Sequence, residues 1–210
     1  MARYFSSSHS SMPYFEPSRP MPDSFIPPKG ATSVEMNPVL IPTIPYSSAS
    51  DTRQMRPFTE IPVDEWRQVM DVNVLSMFLT TRAVVPHMRE HGGGRVVNIS
   101  SGTPFRGVAF LLHYVTSKGA IVALTRALAK ELGRDDILVN CVAPGFTMSD
   151  GVREHPEVID ALRDLSVSAR TLQRDQEPED VVGAVVFLCG PGAEFVTGQT
   201  IVIDGGQYFH

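Results

Sequence analysis

Two stretches, Arg95-Val96-Val97-Asn98-Ile99-Ser100-Ser101 and Tyr114-Val115-Thr116-Ser117-Lys118, decide how this chain folds and what chemistry it offers. The first is an apolar run typical of a short buried strand that ends at two serines. In the second, Tyr114 and Lys118 stand at i and i+4 of a predicted helix, so a phenol and an ammonium share one face. A nearby cation favours the phenolate, which would let Tyr114 exchange a proton below its usual pKa of about 10. The spacing alone leaves open a surface tyrosine beside a solvated lysine.

Hydrophobic periodicity divides the chain after residue 55 into alternating helices and strands. The pattern predicts helices at 62–90, 112–132 and 178–188, and strands at 95–100, 137–142 and 200–203. Residues 146–176 are mixed and charged, which favours a mobile lid with one short helix. Alternating strands and helices predict an α/β fold with a parallel sheet, right-handed crossovers and helices on both faces.

Residues 1–55 differ in kind from the rest of the chain. Up to residue 50 they hold nine of the seventeen prolines and eleven serines, and their apolar residues follow neither a helical nor a strand period. Such a segment buries too little surface to offset its chain entropy, so we expect disorder at 1–55 and a folded domain at 56–210. A proline-rich docking tail is the functional alternative.

Composition excludes several classes of function. The net charge is −5, the isoelectric point is about 5.6, and the absence of a Lys/Arg run makes a nucleic-acid partner unexpected. No apolar run approaches the roughly 20 residues that a membrane span needs. Cys141 and Cys189 lie in apolar patterns, which predicts two buried, reduced thiols in a cytoplasmic protein. The six histidines are scattered, so no metal site is predicted.

Several segments, in the right order along the chain, resemble the short-chain dehydrogenase/reductase family. They are 66–74 (WRQVMDVNV), 94–101 (GRVVNISS), Tyr114-x-x-x-Lys118, 140–145 (NCVAPG) and 196–206 (VTGQTIVIDGG). The resemblance covers residues 56–206 and implies a Rossmann-like parallel sheet. It implies only the C-terminal half of that fold, preceded by the disordered segment.

The resemblance assigns roles to seven residues of this sequence. Tyr114 would be the acid/base, Lys118 would lower its pKa and hold the nicotinamide ribose, and Ser101 would polarise the substrate carbonyl. Asn73 would order a water in the proton relay. The thirteen-residue spacing to Tyr114 selects Ser101 over Ser100. The cofactor site would be completed at the end of a predicted strand by Pro144, Gly145 and Thr147, with Thr147 contacting the nicotinamide carboxamide.

The sequence departs from the family where the pyrophosphate should bind. Gly30 is the only glycine before Gly92, so no glycine-rich turn precedes the helix at 62–90. The strands beyond residues 95–100 are also missing from the pattern, which predicts an exposed sheet edge. The cofactor would be NAD or NADP, and the pattern does not distinguish them.

Three interpretations of the function stay open. The first is a truncated or altered NAD(P)-dependent enzyme that interconverts a small apolar ketone and a secondary alcohol, with apolar residues at 105 and 110–112 near the substrate. It would be a homodimer or homotetramer. The second is a non-catalytic relative that acts through pairing of the helices at 62–90 and 112–132. The third is that residues 1–55 come from a shifted reading frame.

Overall fold

Four parallel strands form the centre of the computed structural model, which describes residues 38–41 and 55–209. They are β1 (Pro38–Ile41), β2 (Gly94–Ile99), β3 (Ile137–Pro144) and β4 (Thr200–Ile203), in the spatial order β1-β2-β3-β4. The residues of β2 and β3 are mostly buried and aliphatic, as expected for parallel strands covered on both faces. This arrangement confirms the predicted α/β class.

Strand β1 corrects the expectation that residues 95–100 form an exposed edge of the sheet. Pro38 pairs with Arg95 and Ile41 with Asn98, so β2 has a partner on each side. A proline is tolerated at the first residue of a strand, where Pro38 stands. A four-residue strand that begins with one proline and is followed by another is too short to reveal a period of two, which is why the pattern missed it. The other residues predicted to be disordered, 1–37 and 42–54, lie outside the described residues, and the predicted boundary at residue 55 stays a prediction.

Seven helices connect and cover these strands in the described part of the chain. They are α1 (Val63–Met70), α2 (Ser76–Glu90), α3 (Thr103–Arg106), α4 (Leu112–Leu132), α5 (Asp150–Arg153), α6 (Pro156–Ser168) and α7 (Glu179–Cys189). A π-helical turn, Asp71–Leu75, joins α1 to α2 without a break. Short 3₁₀ turns lie at Phe58–Glu60, Gly133–Asp135 and Pro191–Ala193.

The sheet separates two hydrophobic cores. On one face α2 and α4 pack against the strands, and the buried residues are Met77, Val85, Met88, Val96, Ile121, Ala129, Leu132, Ile137, Val139 and Cys141. On the other face α7 packs through Leu188 against Val97 and Val142. Neighbouring residues of a strand point to opposite faces, which is why Val96 and Val97 belong to different cores.

This division corrects the prediction that all crossovers are right-handed. The strand order advances in one direction, yet α2 and α4 cover one face and α7 the other. When two strand-to-strand connections advance in the same direction across a sheet but pass over opposite faces of it, they have opposite handedness. The crossover from β3 to β4 therefore differs in hand from the two before it. It is also the longest, and carries α5 and α6 before α7, so it is not the compact strand-helix-strand unit to which the handedness rule applies.

The segment at 146–176 has more regular structure than expected. The sequence predicts one short helix, whereas the structure has the four-residue α5 and the thirteen-residue α6. Pro156 at the first position of α6 and Glu157 in its first turn suit a helix start. Charged residues interrupt the apolar pattern of α6, which hid its length.

The helical segment Val63–Glu90 is long and apolar enough, by length and composition alone, to cross a membrane. Core helices of globular proteins pass the same test, and Met77, Val85 and Met88 of this segment are buried against the sheet. The expectation that no apolar run approaches membrane length is therefore too strict. The absence of a membrane partner stays a prediction.

Candidate active site

Tyr114 and Lys118 lie on the first turns of α4, at the edge of the sheet where the parallel strands end. Lys118 is buried, with 2% of its surface exposed, and Tyr114 is half-buried. The Lys118 Nζ lies 5.5 Å from the centroid of the Tyr114 ring. This distance is within the range of an attractive cation–π contact. The structure thus brings together the two groups that the i, i+4 spacing singles out.

The surroundings of Lys118 disfavour its charge. Its Nζ donates to the carbonyl oxygen of Ile99 at 3.4 Å, and burial lowers the pKa of the ammonium from 10.5 to about 7. Burial also raises the pKa of the neighbouring Cys141 thiol to about 11, so at neutral pH Cys141 is a thiol and not a thiolate. Near pH 7 Lys118 therefore gains or loses a proton easily, while Cys141 does not.

The two serines after β2 have different hydrogen bonds. Ser100 Oγ donates to the Lys118 carbonyl oxygen at 2.8 Å and so ties the end of β2 to α4. Ser101 Oγ instead accepts the Thr103 amide at 3.2 Å, which leaves its hydroxyl hydrogen uninvolved in that bond. The Ser100 hydroxyl is thus used within the fold. The hydrogen bonding agrees with the spacing argument that prefers Ser101 as the donor to a substrate.

Asn73 lies in the π-helical turn and contacts the helix that carries Tyr114 directly, through Ser117. It is buried, and its Nδ2 donates to Ser117 Oγ at 2.9 Å. Ser117 Oγ in turn donates to the Tyr114 carbonyl oxygen at 2.8 Å. π-helical turns occur often at functional sites. Sequence reasoning missed Ser117, although its position three residues after Tyr114 places it on the same helical face as the tyrosine.

Pro144 and Gly145 stand at the end of β3, beside the serine loop. The Gly102 amide donates to the Pro144 carbonyl oxygen at 2.8 Å, which joins the loops that follow β2 and β3. A side chain at Gly145 would meet Gln176 Oε1 at 2.8 Å and the Asp204 Cα at 3.1 Å, so only glycine fits there. Open α/β sheets bind ligands at this edge. The predicted cofactor and catalytic residues therefore share one edge of the sheet.

Thr147 belongs to a long segment whose two ends meet on one atom. The Gly145 amide and the Gln176 Nε2 both donate to the Ile203 carbonyl oxygen, at 2.8 and 2.7 Å. The Thr147 Oγ1 donates to the Gly145 carbonyl oxygen at 3.1 Å. We call the residues between these anchors, 146–175, the roof segment. Its ends are fixed to β4, which fixes Thr147 beside Gly145.

A largely buried polar cluster supports the start of α4. His113, next to Tyr114, is fully buried, and its Nε2 lies 2.9 Å from Glu65 Oε1. Arg56 Nη1 lies 3.4 Å from Glu65 Oε2. Glu65 on α1 therefore links two basic residues far from it in sequence. The sequence suggests a solvated or packed His113 or one that touches substrate; the structure shows it packed.

Replacing Glu65 by alanine is expected to destabilise the fold by about 1–3 kcal/mol, because it removes the partner that Arg56 and His113 share in a buried place. Urea denaturation measures the change. Asp64→Ala is the matched control, since the neighbouring Asp64 carboxylate is 94% exposed and pairs with Arg67 at the surface. That control should change the free energy of unfolding by about 0.5 kcal/mol or less. Equal losses in both variants would contradict the prediction.

Several apolar residues lie in α3 and in the loop that leads from it to α4. Phe110 and Leu112 are exposed by 54% and 44%, whereas Leu111 is buried. The ring of Phe105 packs on that of Tyr208, with centroids 6.0 Å apart. The loop expected to contact substrate thus presents apolar groups next to Tyr114.

A family model described as enoyl-(acyl carrier protein) reductase matches residues 44–208. Bovine dehydrogenase/reductase SDR family member 4 is 38% identical over 152 residues, which are 72% of this chain and 54% of the relative. This chain therefore spans about half the length of that relative.

Solved structures of similar proteins share the fold. A 4-hydroxyisoleucine dehydrogenase complexed with NADH has a TM-score of 0.68 and 31% identity, covering 73% of this chain and 63% of its own. A putative NAD(P)-dependent gluconate 5-dehydrogenase from Beutenbergia cavernae with bound NADP has a TM-score of 0.66 and 34% identity, covering 73% and 61%. With the family match over most of the chain, these likenesses show that the protein belongs to the short-chain dehydrogenase/reductase family.

Proposed function

We propose that this chain is an NAD(P)-dependent oxidoreductase that interconverts a secondary alcohol and a ketone. The observation that carries the proposal is the buried Lys118 ammonium 5.5 Å from the Tyr114 ring, at the ligand-binding edge of the sheet. A strongly perturbed pKa at such an edge is typical of functional sites. Similar proteins carry NADH or NADP in their structures, which supports a nicotinamide cofactor without choosing between the two.

The described residues fit the nicotinamide end of such a cofactor. Lys118 would hold the ribose hydroxyls, the Tyr114 hydroxyl would share in that contact, and Thr147 would face the carboxamide. Pro144 and Gly145 would form the floor beneath the ring. Residues 38–41 and 55–209 contain no glycine-rich turn for the pyrophosphate. We therefore expect this chain to bind the cofactor several kcal/mol more weakly than a relative that has the turn. Each charge-assisted hydrogen bond that is lost contributes about 1.5–3 kcal/mol.

Proton transfer would be the task of Tyr114 and Lys118. A bound nicotinamide would supply a hydride to the carbonyl carbon, or accept one in the reverse direction. As negative charge develops on the substrate oxygen, the Tyr114 hydroxyl donates its proton to that oxygen. The resulting phenolate is stabilised by the Lys118 ammonium, and in alcohol oxidation the phenolate takes the proton back.

Ser101 and Asn73 would hold this arrangement ready. The Ser101 hydroxyl would donate a hydrogen bond to the substrate oxygen, where a preplaced donor lowers the barrier. The side-chain amide of Asn73 fixes the turn that carries Tyr114, through Ser117. The predicted role of Asn73, ordering a water that returns the proton, is part of this proposal.

A small apolar ketone or secondary alcohol is the substrate class that we propose. Phe110 and Leu112 are exposed beside Tyr114, and their side chains would pack on an apolar substituent. The cytoplasm is the proposed compartment, in agreement with the free thiols Cys141 and Cys189.

A second candidate function is a non-catalytic role in assembly, as a homodimer or homotetramer. Exposed apolar side chains favour it: Leu75, Phe78 and Leu79 on the segment 63–90, and Val182, Val186 and Phe187 on α7. A second copy that covered these faces would remove them from water. Assembly is also compatible with catalysis, so the two candidates differ only in cofactor binding and turnover.

Calorimetric titration of the full chain with NADH and with NADPH tests the proposal. One of the two should bind with a Kd below about 1 mM, which corresponds to about −4 kcal/mol. Lys118→Met is the matched control and should bind at least several-fold more weakly, because the ammonium would contact the ribose. No binding of either nucleotide up to millimolar concentration would overturn the enzymatic proposal and leave the assembly role.

A further inference from the structure

The last turn of α2 gathers three side chains that are able to bind a metal ion. One nitrogen each of His87 and His91 and one carboxylate oxygen of Glu90 lie within 4.8 Å of one another. The spacing i, i+3, i+4 places all three on one helical face, and all are exposed. The two imidazole rings lie with their centroids 4.0 Å apart. This cluster corrects the expectation that the histidines have no ligand spacing.

The protonation of His91 suits a ligand. Its Nδ1 lies 2.8 Å from the His87 carbonyl oxygen. A carbonyl oxygen only accepts, so Nδ1 carries the hydrogen, and in the neutral imidazole Nε2 then presents a lone pair. Ligating histidines commonly donate their other ring nitrogen to a backbone carbonyl, which fixes the tautomer and the ring orientation. The hydrogen bond therefore orients His91 before any ion arrives.

The electrostatics of the helix end favour a cation at this place. Helix α2 ends at Glu90, and the carbonyl groups of a last helical turn carry the negative end of the helix dipole. The nearest basic side chain in sequence, Arg89, pairs with Asp135 through an Nε–Oδ2 bond of 2.7 Å. Its positive charge is thus compensated by a carboxylate outside the cluster. When both imidazoles are neutral, the only formal charge on the three ligands is the negative charge of the Glu90 carboxylate, which attracts a cation.

We propose that His87, Glu90 and His91 form a binding site for a divalent late transition-metal ion, with Zn²⁺ as the representative. Two imidazoles and a carboxylate match zinc, nickel, cobalt or copper better than magnesium or calcium, which prefer oxygen ligands alone. Bonds of about 2.1 Å in a tetrahedron bring donors to roughly 3.4 Å from one another. The exposed side chains of His87 and Glu90 would reach that separation from His91 by rotation about their χ angles, and water would complete the coordination.

The expected effect of the ion is structural and separate from the proposed oxidoreductase activity. Three ligands in one turn clamp the end of α2 and the Gly92-Gly93 turn that leads into β2. Because the ion binds the folded helix and not the unfolded chain, it should raise the thermal midpoint in proportion to ln(1 + [Zn²⁺]/Kd). Activity is not required as a readout, so failure of the oxidoreductase proposal would leave this one intact.

Calorimetric titration of the full, reduced chain with ZnCl₂ tests the site. We expect one ion per chain, and an affinity at least about tenfold lower in His87→Asn and in His91→Asn. His155→Asn is the matched control, since His155 is a partly exposed histidine that pairs with Glu157 on a different helix. Its affinity should equal that of the wild type. Because the replaced side chains lie on the surface, we expect all variants to fold, and circular dichroism checks this.

Two outcomes would overturn the proposal. The first is the absence of Zn²⁺ binding by the wild-type chain up to 1 mM, roughly the limit of a −4 kcal/mol interaction. The second is equal affinity in the wild type, His87→Asn and His91→Asn, which would place the ion at another histidine or at a thiol.

Discussion

Tyr114→Phe is expected to lower kcat for reduction of an apolar ketone by about 10²–10⁴-fold, the usual contribution of a positioned acid or base. The substitution removes only the hydroxyl, so the ring remains over Lys118 and the packing of α4 is kept. Loss of one hydrogen bond to the cofactor should weaken nucleotide binding by no more than about tenfold. The larger effect on kcat than on binding identifies a proton-transfer role. Single-turnover reduction followed at the nicotinamide absorbance measures it.

Tyr208→Phe is the matched control for this experiment. It also removes a phenol hydroxyl while keeping the ring that packs on Phe105, and it should retain kcat within a few-fold. If Tyr114→Phe were as active as the wild type, the acid/base assignment would be wrong. If the wild type itself bound nucleotide but did not turn over any ketone of a panel, the proposed activity would fail while the family assignment stood.

Lys118→Met is expected to make the chain more stable and inactive at once. Methionine matches the length of the lysine side chain and removes a buried charge, and such replacements often stabilise by about 1–4 kcal/mol. The folded state lowers the pKa of Lys118 from 10.5 to about 7. Below pH 7 both folded and unfolded chains hold the proton, so the wild type carries the full cost of burying the charge. Reduction of a ketone should fall by 10²-fold or more, since the phenolate loses its cation.

The pH dependence of this stability difference has a definite sign. Between pH 7 and 10.5 the unfolded wild type binds a proton that the folded chain does not, so wild-type stability rises with pH relative to the variant. The advantage of Lys118→Met should thus be largest at pH 6–7 and shrink toward pH 9. Cys141, whose pKa burial raises to about 11, affects both proteins and largely cancels in the difference. Urea denaturation at pH 6, 7.5 and 9 measures it, and a wild type more stable than the variant at pH 6 would contradict the prediction.

Elements whose ends carry clear sequence signals were predictable. Helix α4 has the predicted bounds, Leu112–Leu132, and so does β4 at Thr200–Ile203, because Gly133 and the glycines after Asp204 mark the ends of these elements. Strand β1 and helix α6 were not predictable. The first has four residues, begins with Pro38 and is followed by Pro42, and charges on the second interrupt its apolar stripe.

Contacts between side chains that are far apart in sequence were not predictable either. The i, i+4 relation of Tyr114 and Lys118 is local and can be read directly. Glu65 and His113 are 48 residues apart, and Asn73 reaches Ser117 across 44 residues. No periodicity encodes such pairings, because they depend on how α1 and the π-helical turn pack on α4. His87 and His91 are the opposite case, since their spacing is local and was overlooked among scattered histidines.

The two anchors of the roof segment also bear on how this site could change in evolution. Both ends of residues 146–175 close on the Ile203 carbonyl oxygen, so the sheet is already complete without the segment between them. Doubling the length of a loop whose ends are fixed costs only about 0.6 kcal/mol. Insertions at exposed positions of the roof would therefore reshape the surface above Thr147 while β3 and β4 keep their register. New substrate preferences would become accessible at little risk to the fold.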